Sequence, residues 1–397
     1  MQVIQLFGAD WCPDCHRAKA FLKENQVDFE FVDVDAKPEA AKLVEQINKG
    51  KRIIPTLLID GEPYTNPDNG ILRSVLGIEA IEDKTVYDSV IIGAGAAGLT
   101  TAIYAQRDGF STLILEKKNI GGNAYLTDKI ENYPGFEVIS GPALMQKMAD
   151  QAQKLGTIIR QGTDVRGIFK EEGRFRLETN IGEYYARTVV VATGSSYRKL
   201  GIPGEVDLIG SGVHFCATCD GAFYKNKEVV VVGGGNSALE EGMHLAGIAK
   251  KVTFINLTDQ FTATSTYLDQ LALHDNIEVH HNSQTIEFVS DESGLFQGAK
   301  IQDTKTGETQ LIKADGAFVF VGLIPNTGFV KKTVALDERK FVITDENHQA
   351  SIPGIFAAGD GRKGAIAQVA FAVGEGVAAS YGIRKYLKST VTNLATA

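Results

Sequence analysis

The stretch Tyr87–Lys118, YDSVIIGAGAAGLTTAIYAQRDGFSTLILEKK, decides the fold. Val90, Ile91 and Ile92 form a short apolar run that ends at Gly93. Gly95 and Gly98 follow, then a helical segment, then a second apolar run closed by Glu116. Gly93 allows a tight turn, Gly95 lets the backbone approach a pyrophosphate, and Gly98 lets the helix pack closely on the strand. The helix N-terminus faces the phosphates. Glu116, 23 residues past Gly93, stands where a carboxylate accepts hydrogen bonds from ribose hydroxyls. Strand, turn, helix, strand and acid all agree, which a lone glycine triplet does not achieve. The fold class is α/β, with a dinucleotide-binding unit of the Rossmann type.

The same plan returns at residues 227–256, KEVVVVGGGNSALEEGMHLAGIAKKVTFIN. Its turn carries Gly233, Gly235, Asn236 and Ala238, and the same 23-residue step lands on Asn256. An acid there pairs with a free ribose 2′-hydroxyl and arginines hold a 2′-phosphate. This chain supplies neither, and Asn256 offers a weaker, uncharged hydrogen bond in their place.

Upstream, residues 1–77 read as strand, helix, strand, helix, strand pair and helix. A polar stretch, Ile78–Thr85, separates them from the first dinucleotide unit. The expected organisation is therefore an N-terminal domain over 1–77 and a linker over 78–86. A discontinuous dinucleotide domain over 87–199 and 323–390 follows, with a second dinucleotide domain inserted at 200–322 and a tail at 391–397.

The length of 397 residues suits two or three domains, and a hydrophobic fraction of 44% excludes large-scale disorder. Forty-two glycines against 10 prolines fit tight α/β turns. A net charge of −9 argues against nucleic acid, which needs a basic face. No apolar run reaches membrane-spanning length and no basic leader precedes an apolar stretch, so a cytoplasmic location away from membranes is expected. All four cysteines fall in Cys-x-x-Cys pairs, Cys12 and Cys15 in WCPDC and Cys216 and Cys219 in CATC. In a reducing compartment such pairs are redox centres or halves of a zinc site, and their contexts favour redox chemistry. The seven histidines show no metal-ligand spacing, so no metal is expected.

The second pair lies in HFCATCDGAF, just ahead of the second dinucleotide unit. A disulfide there is suited to exchange electrons with a flavin, and Asp220 to act as general acid toward a departing thiolate. With GAGAAG, GGNAYLT, IENYPGF, VVATG, GGGNSALEE, VGLIPNT and SIPGIFAAGD, the segment from Tyr87 to Leu387 resembles the low-molecular-weight thioredoxin reductases, which are FAD-dependent. The resemblance implies FAD contacts from Glu116, Gly121, Gly122, Asn132, Gly194, Gly359, Asp360 and Gln368. It also implies Cys219 against the flavin, Cys216 toward the protein substrate, a homodimer and a rotating central domain. Relatives that use NADPH carry a His-Arg-Arg run and a further Arg where this chain has Asn256, Leu257, Thr258 and Thr262. Their loss leaves a 2′-phosphate unpartnered, so NADH or a one-electron donor such as ferredoxin is expected ahead of NADPH.

The N-terminal unit resembles a glutaredoxin, closest in type to the mycoredoxin-like proteins. WCPDCHRAK puts Cys12 at a helix start, where free N–H groups favour the thiolate. The resemblance puts Pro55 of IIPT, in cis, beside the cysteine pair, at an edge open to substrate. Asp14 between the cysteines opposes the Cys12 thiolate with its charge. The reading is a relay from donor to FAD, to Cys216/Cys219, to Cys12/Cys15, and on to a thioredoxin- or glutaredoxin-type redoxin or a low-molecular-weight disulfide. Its rivals are a peroxiredoxin reductase like the alkyl hydroperoxide reductase flavoprotein, whose redoxin region is doubled, and a redox-responsive binding module with structural FAD.

Overall fold

The computed structural model describes residues 3–10, 12–78, 81–127, 130–271, 273–292 and 294–395, without the side chains of 13, 81, 82, 126, 218, 219 and 390–395. The N-terminal domain contains β1 (Ile4–Gly8), α1 (Pro13–Glu24), β2 (Glu30–Asp33), α2 (Pro38–Ile47), β3 (Thr56–Ile59), β4 (Glu62–Thr65) and α3 (Asn69–Val75). Its sheet order is β2-β1-β3-β4, with β1 parallel to β2 and antiparallel to β3. Proline at the first position of α1 and α2 suits helix starts because its missing N–H would be unpaired there anyway. Asp68 caps α3 by accepting the Ile71 N–H at 2.8 Å. Leu6, Leu22, Leu57 and Leu72 are fully buried in one core, each contributing about 1.5–3 kcal/mol relative to exposure.

The dinucleotide domain that follows is built on β5 (Ile81–Ile92), α4 (Ala96–Arg107), β6 (Thr112–Glu116), α5 (Gly141–Lys154), β7 (Ile158–Gln161), β8 (Val165–Glu171), β9 (Arg174–Thr179) and β10 (Gly182–Val191). Strands β7, β6, β5 and β10 run parallel, and β8 and β9 extend the sheet as an antiparallel meander. Near the C-terminus β21 (Ile355–Ala357) adds to β10 in parallel and α9 (Val369–Ala395) packs on α4.

Between these parts lie β11 (Ser195–Tyr197), β12 (Val213–His214), α6 (Ala217–Asp220), β13 (Glu228–Val232), α7 (Asn236–Ala246), β14 (Lys251–Ile255), α8 (Ser265–Leu271), β15 (Ile277–His280), β16 (Ser283–Ser290), β17 (Phe296–Asp303), β18 (Thr309–Lys313), β19 (Gly316–Val319) and β20 (Leu323–Pro325). Strands β12-β19-β13-β14-β15 form a parallel sheet, and β16-β17-β18 an antiparallel one. The architecture is the expected α/β one, with a redoxin-like region followed by two Rossmann-like units.

Two compact units emerge: residues 1–124, 144–194 and 325–397, and residues 125–143 with 195–324. This differs from the sequence-based division in two ways. Residues 125–143, expected within a continuous 87–199 segment, group with the second unit; there Ile130 and Ile139 pair across a closed loop. Of the expected 78–86 linker, residues 79 and 80 lie outside the described residues, and the rest does not read as a free tether. The stretch expected as linker enters β5, whose first half pairs with β10 from Gly182–Ile81 to Ala186–Tyr87. Lys84, Thr85 and Val86 are exposed there. The polarity that suggested a linker is that of a strand open to water.

The N-terminal domain is further fixed through α3. Asn69 is buried and its Nδ2 donates to the Gln161 carbonyl at 3.2 Å, while its Oδ1 accepts from Arg17 Nη1 at 2.8 Å. Gly162, at φ +68°, leaves room for Asn69 where a Cβ would collide with its amide. Arg17, itself buried, also donates to the Asn66 side chain at 3.1 Å and to the Pro67 carbonyl at 3.0 Å. The cysteine-bearing helix α1 is thus tied through α3 to β7, the neighbour of the strand that ends in Glu116. Replacing Asn69 with Ala strips two buried hydrogen bonds and leaves Arg17 short of a partner, a loss of about 1–3 kcal/mol. Hydrogen exchange should then rise over 66–76 and at Gln161–Gly162, while the flavin-domain sheet stays protected.

Candidate active site

The first glycine turn is shaped as a phosphate cradle. Gly93 has φ +108°, and a Cβ there would strike the Ala192 carbonyl. A Cβ on Gly98 would strike the Gly93 carbonyl, so α4 sits against β5 at backbone distance. Gly95 is the N-cap of α4, and a Cβ there meets no protein atom within 4 Å. That open space lies before the unpaired N–H groups of the helix. Gly122, at φ +57°, faces Gly95 across 3.7 Å from its would-be Cβ, and Gly121 (φ +120°) donates its N–H to the Ala94 carbonyl at 2.8 Å.

Glu116 reaches the turn as its spacing requires. Its Oε2 accepts the Ala94 N–H at 2.7 Å and its Oε1 the Lys118 N–H at 2.7 Å. Burial pushes its carboxyl upward and those backbone donors oppose the shift. Each oxygen keeps lone pairs for a ribose. The C-terminal loop closes the other side: Gly359 (φ +78°) lies against Ala97, 3.0 Å from its would-be Cβ, and Gly361 against Gly194 (φ +62°). Glu375, buried on α9, accepts the Gly359 N–H at 2.6 Å and Arg362 Nε at 2.8 Å. Burial lifts Asp360 to about 6, with Glu375 adding to the shift. Gln368 stands half-buried just ahead of α9. The buried Thr193 hydroxyl beside Gly194 has no partner. Open cradle, acid with spare lone pairs and orphaned hydroxyl fit a flavin dinucleotide. Bound there, FAD supplies a carrier that accepts and donates an electron pair. Asn132 is exposed and belongs to the second unit.

The second turn repeats the backbone. Gly233 has φ +141°, Gly235 is the N-cap of α7, and Ala238 is fully buried 3.0 Å from the would-be Cβ of Gly233. Its adenosine end differs. Asn256 is 3% exposed, and its Nδ2 faces the carbonyls of Thr258 (2.9 Å) and Gln260 (3.0 Å) and His281 Nδ1 (3.0 Å). Thr262 donates its N–H to the Gly234 carbonyl at 2.8 Å, and Asn236 Oδ1 accepts the Thr264 N–H at 2.9 Å. A ribose hydroxyl would be met through Oδ1, and the Nδ2 donors do other work. They fasten the loop that follows β14, because a short amide at a strand end reaches nearby carbonyls before any ligand. Leu257, Thr258 and Thr262 are exposed there, and Asp259 is the single charge in residues 256–264.

In the second unit Cys216 is disulfide-bonded and half-buried. The backbone of Cys219 lies in α6, and the expectation for its side chain lies outside the described residues. Asp220 Oδ2 stands 3.3 Å from His214 Nδ1, and His214 Nε2 stands 2.7 Å from the Tyr224 hydroxyl. The Ala217 N–H donates to Glu241 on α7 at 2.8 Å. Burial, then the charges of Asp220 and Asp315, push Tyr224 up to about 12.

In the N-terminal domain Cys12 is the N-cap of α1, and both cysteines are free and buried. The Cys15 N–H donates to Cys12 Sγ at 3.2 Å. The Ile54–Pro55 peptide bond is cis, and the Ile54 carbonyl is 3.9 Å from Cys12 Sγ. A Cβ on Gly8 would lie 2.7 Å from Cys15 Sγ, so glycine makes room for that sulfur. The hydrogen bond with Cys15 lowers Cys12 to about 7, against burial and the Asp14 charge. Cys15 is driven up by the same hydrogen bond and by burial. Trp11 lies outside the described residues.

Sequence reasoning did not single out Arg17, Asn69, His214, Tyr224, Arg362 or Glu375. His214, two residues before Cys216, carried the one available signal.

A strand-turn-helix cradle for a flavin dinucleotide, followed by a disulfide ahead of a second such cradle, defines a flavin-linked disulfide oxidoreductase. Comparison agrees. Residues 87–376 match the model of the pyridine nucleotide-disulphide oxidoreductases and residues 4–64 that of the glutaredoxins. The chain is 37% identical over 316 residues to thioredoxin reductase of Bacillus subtilis, covering 80% of this chain and 99% of that one. It is 38% identical over 315 residues to that of Listeria monocytogenes, covering 79% and 98%. Among solved structures, thioredoxin reductase from Streptococcus pyogenes superposes with a TM-score of 0.73 at 38% identity, covering 77% of this chain and 100% of that one. The chain belongs to the pyridine nucleotide-disulphide oxidoreductase family, as a thioredoxin reductase-like disulfide oxidoreductase with a glutaredoxin domain.

Asp14 is 37% exposed at its side chain and is held by Arg17 and Asn66. Its charge raises Cys12, so Asp14→Asn should lower the Cys12 pKa by about half a unit, the scale of a partly screened charge pair. The pH dependence of iodoacetamide alkylation checks this.

Proposed function

We propose that the protein relays electrons from an external donor through FAD to the Cys216/Cys219 disulfide, and from that dithiol to Cys12 and Cys15. The redoxin pair then reduces an outside redoxin or low-molecular-weight disulfide. The observation that carries this is the pairing, in one chain, of a flavin-type disulfide site with a redoxin pair whose outer sulfur is lowered to about 7. A thiol poised near ambient pH suits thiol-disulfide exchange.

For the donor, the reading is NADH or a ferredoxin-type one-electron protein ahead of NADPH. A loop from Asn256 to Thr264 with Asp259 as its only charge offers a 2′-phosphate no cation of its own. A homodimer is the assembly that the family resemblance implies, and the absence of a helix long and apolar enough to cross a membrane, among the described residues, fits a cytoplasmic site of action.

Mixing the FAD-loaded protein anaerobically with NADH, NADPH or reduced ferredoxin, and following flavin absorbance, tests the donor. Bleaching by NADH or ferredoxin at a rate at least tenfold above NADPH is expected; fastest bleaching by NADPH overturns the preference. Introducing Thr258→Arg with Thr262→Arg should raise the NADPH rate about tenfold, the worth of one charge-assisted contact. The route to the redoxin is separable in a mixed dimer with Cys12→Ser in one chain and Cys216→Ser in the other. Reduction of the remaining redoxin pair means transfer across subunits; none means transfer within a chain.

A further inference from the structure

His214 is the least expected group near the Cys216 disulfide. It ends β12, two residues before Cys216, and is 7% exposed. Its ring is wedged against Tyr224 (5.3 Å between centroids) and Phe318 of β19 (5.2 Å). Both nitrogens are engaged, Nδ1 with Asp220 Oδ2 at 3.3 Å and Nε2 with the Tyr224 hydroxyl at 2.7 Å. A buried imidazole with fixed partners on both sides has one neutral arrangement that satisfies all three groups. Tyr224 donates to Nε2, and Nδ1–H donates to the carboxylate. The charged or titratable groups that face this trio are Asp220 of α6, Tyr224 in the turn after it, Asp315 ahead of β19, and Lys227, whose Nζ lies 5.4 Å from the Tyr224 ring.

We infer that His214 is a positioning residue for Asp220, with Tyr224 fixing the imidazole so that Nδ1–H holds the carboxyl group in its acid-base role at the Cys216/Cys219 disulfide. This rests on the reading of Asp220 as the acid of that pair. Opening the S–S bond with the electron pair that bound FAD would supply leaves two thiolates, and one takes a proton from the Asp220 carboxyl, which has drawn that proton from solvent. The resulting carboxylate accepts the hydrogen bond from His214 Nδ1–H and recovers its proton from solvent. In the reverse sense, when the dithiol attacks a disulfide, the carboxylate accepts the thiol proton. His214 changes no bond; it sets the orientation of the group that does.

Isosteres separate this role from packing. Asn places an amide where Nδ1 lies, Gln places one where Nε2 lies, and Phe fills the space without either. The probe is Ellman's reagent, an aromatic disulfide, mixed in stopped flow with full-length FAD-loaded protein carrying Cys12→Ser and Cys15→Ser and pre-reduced with dithionite. Release of thionitrobenzoate is followed across pH. His214→Phe should slow release about tenfold or more and move the pH profile by about one unit, while His214→Asn keeps the profile of the parent and His214→Gln does not. A parental profile in His214→Phe overturns the inference, and so does a His214→Asn profile shifted as far as that of Phe. Should His214→Phe not fold, the contrast between Asn and Gln decides alone: Asn parental and Gln shifted supports it, and any other pattern overturns it. Asp220→Asn is run alongside. If it too leaves the profile unmoved, the reading of Asp220 as the acid has failed; if it alone moves the profile, only the role of His214 has.

Discussion

At Gly98 there is no room for any side chain, because a Cβ would fall on the carbonyl of Gly93. That contact lets α4 lie on β5 at backbone distance, and the flavin site depends on it. It aims the first N–H groups of α4 into the open space before Gly95, and it brings Glu116, at the end of the neighbouring strand, onto the Ala94 N–H. It also sets α4 where α9 packs through another glycine: a Cβ on Gly376 would lie 2.5 Å from the Ala97 carbonyl. Through α9 come Glu375 and its hold on Gly359 and Arg362. One steric requirement of the turn therefore orders groups that are far apart in the chain.

The same requirement explains what could be read from the sequence. Turn glycines, apolar strands and the acid at a fixed step are local, and they gave both dinucleotide units, the redoxin region and the four cysteines. The partners that hold those groups are not local. Arg17 meets Asn69 across 52 positions, Asn69 meets Gln161 across 92, and Glu375 meets Gly359 across a loop. A polar residue in a helix has no periodicity to say which distant carbonyl it will satisfy once buried, only that it must satisfy one. The strand pairing within the expected linker has a related cause. Ile78–Thr85 reads as polar because β5 begins with an exposed face, and its pairing with Gly182–Ala186 is set by a strand about a hundred residues on. Polarity reported solvent exposure there, and exposure is compatible with a strand as well as with a tether.

The two cradles share a backbone and part at one side chain. Glu116 spends one lone pair on each of two backbone donors and keeps others free, whereas Asn256 has two N–H bonds to give and a set of carbonyls and a ring nitrogen within reach of them. An acceptor with capacity to spare can organise a turn and still meet a ribose. The Nδ2 donors of Asn256 are spent on the loop that follows β14, and only its Oδ1 is left as an acceptor. Packing also constrains the glycines of the second unit: Gly233 must clear the Phe320 carbonyl and Ala238, and Gly242 must clear Phe254.

The two cysteine pairs solve the proton problem of thiol-disulfide exchange in different ways. In the redoxin, activation is internal. Cys12 takes the helix N-terminus and the Cys15 N–H, and is lowered, while Cys15 is driven up and holds its proton. At neutral pH one sulfur is then ready to attack and the other to donate a hydrogen bond to it. At the Cys216 pair the proposed proton carrier is a separate carboxyl group, Asp220, beside a buried imidazole. On the proposed relay, one end of the chain activates sulfur through a helix N-terminus and a neighbouring N–H, and the other places a carboxyl group and a buried imidazole beside its cysteine pair.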